Sequence, residues 1–485
     1  MVPLVERDIL HRPIQAVNIG SELFAEALRA QQAEVIQLAW APPRQVALSR
    51  EARLSLELMD DQSEAAGAAI RQANATVIAR MQQSDPWWIG MQPAIDCVPG
   101  MHAGLILHAG PPIEWERMCA TQQQGGVNGV LYEGYARTEA EARRLLETGQ
   151  IEFAAANDYH IVAPGSGIAT PSMVMNIIED RHTGVRGFCA PFEGPNRGGL
   201  AGWGIYNPAI REHLELVRTV IGPAISTVLA RNGGLALQRI IVRGVEMGDE
   251  LHSRQDACGL ILINELMRML VQSDLASPVR QKCVDLLYGT TRFFHPLGMA
   301  AAMAQLEGVR QLEHSTVVTA MEGNGVEFGI KVAGTGNQWY TAPSPRLEGS
   351  LVAAQIDPDD VLPWIGDSCM LEATGLGGCA AAAAPAVMRA QEKTWQDGIE
   401  RSQLMAAITL ARHEHYLIPA LDYQGSPLGI DIRKVLATGI EPVIHGGMIS
   451  RSGKRLGAGV AHVPIACFTS ALQGFAAQYG LTAGR

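Results

Sequence analysis

The chain has 485 residues, with 38 Lys and Arg against 49 Asp and Glu, and so a formal net charge of −11. That length exceeds what one hydrophobic core usually serves and predicts several domains, and an acidic balance without a Lys/Arg-rich block argues against a nucleic-acid partner. Hydrophobic residues make up 47% of the chain and charged residues only 18%, a balance that predicts buried contact between subunits, and so a homo-oligomer.

The longest apolar run, LGGCAAAAAPAVM, carries Gly and Pro and falls short of the roughly 18 residues that span a bilayer. The opening stretch MVPLVERDILHRP has charges where a signal peptide has an apolar core, so the expectation is a cytoplasmic protein with no membrane partner. Eight cysteines lie far apart with no CxxC pair, which predicts reduced thiols and fits neither a disulfide framework nor a structural zinc site.

In chain order, AVNIGSELFAEALRAQQAEVIQLAW (16 to 40) reads as strand, Gly/Ser turn, helix with Leu23, Phe24, Ala27 and Leu28 inward, and strand. That is a βαβ unit, although NIGS has one glycine where a dinucleotide fingerprint has three. A helix over 62 to 82 leads to a strand at PWWIGMQPA. The loop PGMHAGLILHAGPPIEWERM (99 to 118) then carries His102, His108, Glu114, Glu116 and Arg117. A surface helix from Thr138 to Thr148, capped by Thr138 and ended at Gly149, closes this region. Further on, HIVA opens into a PGSG turn and a TPS cap, where backbone N–H groups with Ser166 and Ser172 could cradle an anion. A plain strand-to-helix connection reads equally well. The loop PFEGPNRGGLAGWGIYNP (191 to 208) bears Glu193, Asn196 and Arg197, and loops of that length are usually functional or mobile.

The stretch VEMGDELHSRQDA (245 to 257) concentrates Glu246, Asp249, Glu250, His252, Arg254 and Asp256. Asp249 or Ser253 can cap a helix through LILINELMRMLV, with Asp249, His252 and Asp256 on one face and Glu250 paired to Arg254 at i,i+4. Spacing alone favours a solvated cap network there. Residues 315 to 334 predict a hairpin turning at Gly323-Asn324-Gly325. IGDSCMLEATGLGGCAAAAAPAVMRAQE (365 to 392) places Asp367, Glu372 and Thr374 before Gly377, Gly378 and a helix of small residues. Its glycines permit close approach of a ligand anion or of a neighbouring helix. The expected class is α/β and α+β multidomain. A Rossmann-like domain over 1–150 is followed by a middle α+β domain with a helical segment over 151–310, and a C-terminal α+β domain over 311–485.

NIGSELFAEAL, PGMHAGLILHAGPPIEWERM, GVLYEGYA, PGSGIATPSM, VEMGDELHSRQDA, NGVEFGIKVAGTGNQW, IGDSCMLEATGLGGCAAAAAPA and GSPLGIDIRKV together resemble the YlbE-like bacterial proteins over nearly the whole chain. The resemblance implies a subunit of the oxamate carbamoyltransferase of allantoin breakdown. That enzyme has several different subunits, among them an FdrA-type partner similar to succinyl-CoA synthetase. It exchanges oxalurate and phosphate with oxamate and carbamoyl phosphate. The chain departs from the pattern at FEGPNRGGLAGWG, where relatives carry a Lys that Arg197 only approximates, and at MRAQEK, where they are Gly-rich.

With the resemblance, the 245 to 257 cluster becomes an expected substrate site, meeting the His108 loop and the Asp367 strand. His252, His108, Asp249 and Glu250 are the candidate catalytic groups, with the two histidines moving protons. Arg254, Arg197 and Arg117 are expected to clamp anions, and Ser166, Asn324, Asp367, Glu372, Thr374, Gly377 and Gly378 to line the substrate site. The carboxylates could also hold a divalent cation, and no other cofactor is expected. Two alternatives stay open: a non-catalytic scaffold or regulatory subunit of an acyl-CoA-synthetase-like complex, and a divergent paralogue acting on another acyl or carbamoyl compound. A stand-alone metal-dependent amidohydrolase fits poorly, because no HxH or HExxH ligand set is present.

Overall fold

The structure is a computed structural model and describes residues 15–19, 22–38, 46–61, 64–192, 199–290, 292–351, 357–450 and 455–481. Chain contacts divide it into two compact units between Gln45 and Val46, a boundary that the sequence reading did not place. In the first unit, strands Gln15–Ile19 and Glu34–Leu38 pair in parallel across helix Glu22–Ala30, the expected βαβ element. Its helix is turned differently from expectation. Phe24 is 65% exposed and Ala27 is exposed, while Ala25 is buried.

The second unit mixes helices and sheets, as the α/β and α+β reading requires. One four-stranded antiparallel sheet runs in the order Arg186–Cys189, Val174–Asp180, Pro86–Pro93, Leu235–Ala236. Helix Phe294–Glu307 (FHPLGMAAAMAQLE) is apolar on every side, and such a helix is stable only when surrounded. It is buried along its length and packs on this sheet. Gly187 makes that approach feasible, since a Cβ there would stand 2.2 Å from the Ala300 carbonyl oxygen. The apolar core continues from Ala52 to Leu481.

A second four-stranded sheet runs Tyr340–Pro343, Glu327–Val332, Val318–Asn324, Ile365–Gly366. Its hairpin turns where the Asn-Gly pair predicts. Asn324 Oδ1 accepts the N–H groups of Val326 and Glu327, and Gly325 supplies a φ of +83°. The short last strand ends at Gly366, which delivers Asp367 and Ser368 to the site described below. A three-stranded sheet, Glu348–Leu351, Arg455–His462, Val443–Ile449, carries His445. The helix expected from Thr138 is present over Glu139–Glu147, with the Thr138 side chain accepting the Glu141 N–H. Among the described residues no helix is long and apolar enough to cross a membrane.

Two sequence expectations are corrected by local hydrogen bonding. Strand Val174–Asp180, and not a helix, follows the PGSG and TPS stretch; Ser172 there gives its N–H and hydroxyl to the Glu133 carboxylate. The helix after VEMGDELHSRQDA begins only at Asp256, so Asp249 and His252 precede it and share no helical face with Asp256. Glu250 is the cause. Its carboxylate accepts the N–H groups of His252, Ser253 and Arg254 at 2.9, 2.5 and 2.9 Å, holding the segment in a loop that competes with helix.

Candidate functional site

That loop and the turn after strand Ile365–Gly366 form one wall of a cavity of about 320 Å³. His252, Ser253, Arg292, His295, Trp364 and Ser368 supply its polar and aromatic lining, and Gly165, Gly446 and Gly447 leave room beside them. His252 is 3% exposed and Glu372 fully buried. The His252 Nδ1–H donates to Glu372 Oε1 at 2.8 Å and Oε2 at 2.9 Å, and Nε2 lies 2.8 Å from Ser368 Oγ. Glu372 Oε1 also accepts the backbone N–H groups of His445 at 3.0 Å and Gly378 at 3.1 Å. A carboxylate surrounded by donors fixes the imidazole proton on Nδ1 and leaves the Nε2 lone pair facing the cavity. The Trp364 ring meets the His252 ring edge to face at 5.8 Å, and the His295 ring stacks at 6.1 Å, so the imidazole has little room to turn.

Behind His252 lies Glu250, fully buried, with Oε2 3.5 Å from His445 Nδ1. Arg401 in turn donates to His445 Nε2 at 2.8 Å. Burial pushes the Glu250 carboxyl up, but His445, His252 and the His252 N–H outweigh it and the net direction is down. Asp367, beside Ser368, accepts the N–H groups of Gly110 at 2.6 Å and Ala163 at 3.1 Å. Burial lifts its carboxyl to about 8 against those two donors. Its neighbour Glu322 is raised well above the ordinary range by burial and by Asp367. Lys331 and Arg310 meet the same buried layer through Asn157. Cys369 also borders Ser368, but its thiol is fully buried, donates to the Met321 carbonyl at 2.7 Å, and is pushed up by burial.

Of the expected site residues, the fold brings Glu250, His252, Asp367 and Glu372 together. Gly377 and Gly378 join them as packing elements. Their N–H groups go to the Glu250 carbonyl and the Glu372 carboxylate, and a Cβ on Gly377 would stand 2.1 Å from Glu372 Oε1. The tight-packing reading therefore describes them, since no donor is left for a ligand anion. Asp249 is a cap: its Oδ2 accepts the Cys258 N–H at 2.7 Å in the first turn of helix Asp256–Val271. The Arg254 guanidinium does not pair with the Glu250 carboxylate. It donates to Asp249 Oδ1 at 3.0 Å and the Gly248 carbonyl at 2.8 Å, because the Glu250 carboxylate is already filled by backbone donors.

His108 faces a different cavity, with its Nδ1 on the Ala109 carbonyl and burial lowering its pKa to about 4. Its loop reaches the site through the Gly110 N–H on Asp367. Arg117 is 58% exposed and pairs with Glu327. Ser166 is buried, its N–H donates to the Gly202 carbonyl and the following Ile168 N–H to the Ala201 carbonyl, while Gly165 of the same turn lines the cavity. The Asn324 side chain bonds its own turn and donates through Nδ2 to the Pro111 carbonyl at 3.0 Å, and the Thr374 hydroxyl bonds its own turn. Arg197, Glu193 and Asn196 lie outside the described residues. Among the described residues no group of three or more His, Cys, Asp and Glu is arranged to hold a metal ion. A larger cavity of about 1010 Å³, lined by Arg71, Arg412, Arg433 and Lys434, contains none of the expected residues.

Sequence reasoning missed Ser368, Arg292 and His445. The first had a signal: Ser368 and Glu372 are four apart across a strand-turn-helix, which sets both on one side of the turn. Arg292 and His445 stand in segments with no such density of polar residues.

A family model for the oxamate carbamoyltransferase subunit AllG matches residues 151–368. The curated subunit AllG of Escherichia coli K12 is 34% identical over 85% of this chain and 99% of its own length. The chain belongs to the AllG family. This AllG-family chain is also 32% identical to the uncharacterized protein YahG of the same organism, over 98% of this chain and all of that one. A crystal structure of a conserved protein of unknown function from Enterococcus faecalis V583 superposes with a TM-score of 0.80 at 33% identity, covering 84% of this chain and 98% of that one. The YlbE-like resemblance read from the motifs, an oxamate carbamoyltransferase subunit family, is thereby borne out.

Proposed function

We propose that this chain is a subunit of a carbamoyltransferase complex and that the cavity beside His252 is where a carbamoyl compound and phosphate react. The relative named as an oxamate carbamoyltransferase subunit supports the reaction class. The observation that carries the site is His252 itself: a nearly buried imidazole held by Glu372 through Nδ1, with Nε2 turned to the cavity. In transfer from oxalurate, the bond between the carbamoyl carbon and the oxamate nitrogen breaks and a bond to a phosphate oxygen forms. The leaving nitrogen needs a proton, and His252 Nε2 is the group placed to carry it. Arg292 brings positive charge to the cavity while its Nε and Nη2 hold Gln255 and the His252 and Ser253 carbonyls. An FdrA-type partner would complete the complex.

The test is phosphate-dependent carbamoyl transfer by the chain assembled with its partner subunits, for native protein and His252→Gln. The proposal expects a rate loss of about 10²-fold or more with folding and assembly intact. A scaffold subunit would give the same rate in both proteins, and that result would retire the proposal.

A further inference from the structure

We propose that Ser368 is a covalent nucleophile, activated by His252 and oriented by Glu372, so that the carbamoyl group passes through a carbamoyl-serine. The choice of a carbamoyl group rests on the functional reading above; the nucleophile rests on geometry. Ser368 Oγ stands 2.8 Å from His252 Nε2, and His252 Nδ1 stands 2.8 and 2.9 Å from the two oxygens of Glu372. This is the order hydroxyl, base, orienting carboxylate that lets a weak serine nucleophile attack at neutral pH. The burial gradient suits each role. Glu372 is fully buried and His252 almost so, whereas Ser368 is partly exposed and lines the cavity.

Three features argue against an incidental hydrogen bond. Glu372 is locked by the His445 and Gly378 N–H groups, and Gly377 is the residue that leaves it room. His252 is clamped from its own main chain, its N–H on Glu250 Oε2 and its carbonyl on Arg292 Nη2. The adjacent thiol of Cys369 points away, onto the Met321 carbonyl, so the hydroxyl is the group of that turn directed at the base. Arg292 lines the same cavity as Ser368, and its charge can balance charge developing on a carbonyl oxygen there.

The steps balance. Ser368 Oγ attacks the carbamoyl carbon while His252 Nε2 takes the hydroxyl proton. The tetrahedral adduct collapses, the C–N bond to oxamate breaks, and the departing nitrogen receives that proton. A phosphate oxygen then attacks the carbamoyl-serine carbon, the C–Oγ bond breaks, and the proton released by phosphate returns to Oγ through His252. No oxidant, reductant or further co-reactant is needed.

The test uses the full chain and p-nitrophenyl carbamate, whose nitrophenolate is read by absorbance. The expected result is a burst of one nitrophenolate per chain and a carbamoyl mass increment on the peptide containing Ser368. S368A abolishes the burst, S368C keeps a labelled nucleophile at the position, and His252→Gln slows the burst by about 10³-fold. Peptide mapping of the native chain needs no variant, so a folding defect in S368A would not obscure the answer. A label on another residue, or an undiminished burst from folded S368A, overturns the nucleophile. If Ser368 is labelled yet the assembled complex transfers no carbamoyl group, the nucleophile stands and the carbamoyltransferase reading falls. If transfer proceeds at the native rate with S368A, the reverse holds.

Discussion

Replacing Glu372 by Gln separates the orienting role of this carboxylate from its packing role. Oε1 receives the His445 and Gly378 N–H groups at 3.0 and 3.1 Å, so the glutamine amide must put its oxygen there; the reverse orientation would oppose two donors with a third. Its NH₂ then occupies the Oε2 place, 2.9 Å from His252 Nδ1. The glutamine oxygen keeps the 2.8 Å contact with Nδ1, but the N–H donor now beside it destabilises the Nδ1–H tautomer relative to the one protonated on Nε2, which points its proton at Ser368 Oγ and cannot accept another. A neutral amide also removes the charge that stabilises a protonated imidazole. In the serine-protease triad the equivalent carboxylate-to-amide change costs about 10⁴ in rate, so a loss of 10³–10⁴ is expected here, about 4–5.5 kcal/mol in barrier. Stability should fall far less, by about 1–2 kcal/mol, the difference between charged and neutral hydrogen bonds. Burst rate with p-nitrophenyl carbamate and urea unfolding, measured on the same preparation, give both numbers. A burst within about threefold of native (~0.65 kcal/mol) would show that Glu372 does not set the His252 tautomer and would remove it from the orienting role.

Arg254→Ala should lower unfolding stability by about 1–3 kcal/mol, because buried Asp249 loses its cation, while the transfer rate stays within about threefold (~0.65 kcal/mol); a large rate loss with unchanged unfolding would return Arg254 to the substrate site. Acid sensitivity follows from His108, whose pKa is lowered by burial from 6.5 to about 4. The unfolded chain takes up this proton below pH 6.5 and the folded chain does not until about pH 4, so its contribution is full above pH 6.5 and is lost as pH falls toward 4. The loss amounts to roughly 3 kcal/mol, and His108→Gln should flatten the fall of melting temperature between pH 6.5 and 4; an unaltered slope would place the acid sensitivity elsewhere.

The sequence announces its local structure where the chemistry is local. Thr138 caps the helix it predicts, and the Asn-Gly pair turns the hairpin that carries Asn324. It also marks the two segments that meet in the cavity, since VEMGDELHSRQDA and IGDSCMLEATGLGG are dense in chemistry-bearing residues. What it does not carry is who bonds to whom. Glu250 and Arg254 have the spacing of a helical ion pair, yet three backbone N–H groups reach the Glu250 carboxylate first and no helix forms there. Gly377 and Gly378 look like an anion cradle until the fold directs their N–H groups to Glu250 and Glu372. Ser368 is one hydroxyl among many in the sequence, and only a base arriving from 116 residues away distinguishes it.

That separation also sets a timetable. His252 comes first, Ser368 and Glu372 come 116 and 120 residues later, and the N–H that seats the Glu372 oxygen belongs to His445, on a strand paired with Arg455–His462. A chain still emerging from the ribosome thus holds a histidine without its carboxylate, then a carboxylate without its last donor. Under the proposed mechanism reactivity requires the His445 strand to be in place, so chemical competence itself would report that this sheet has closed.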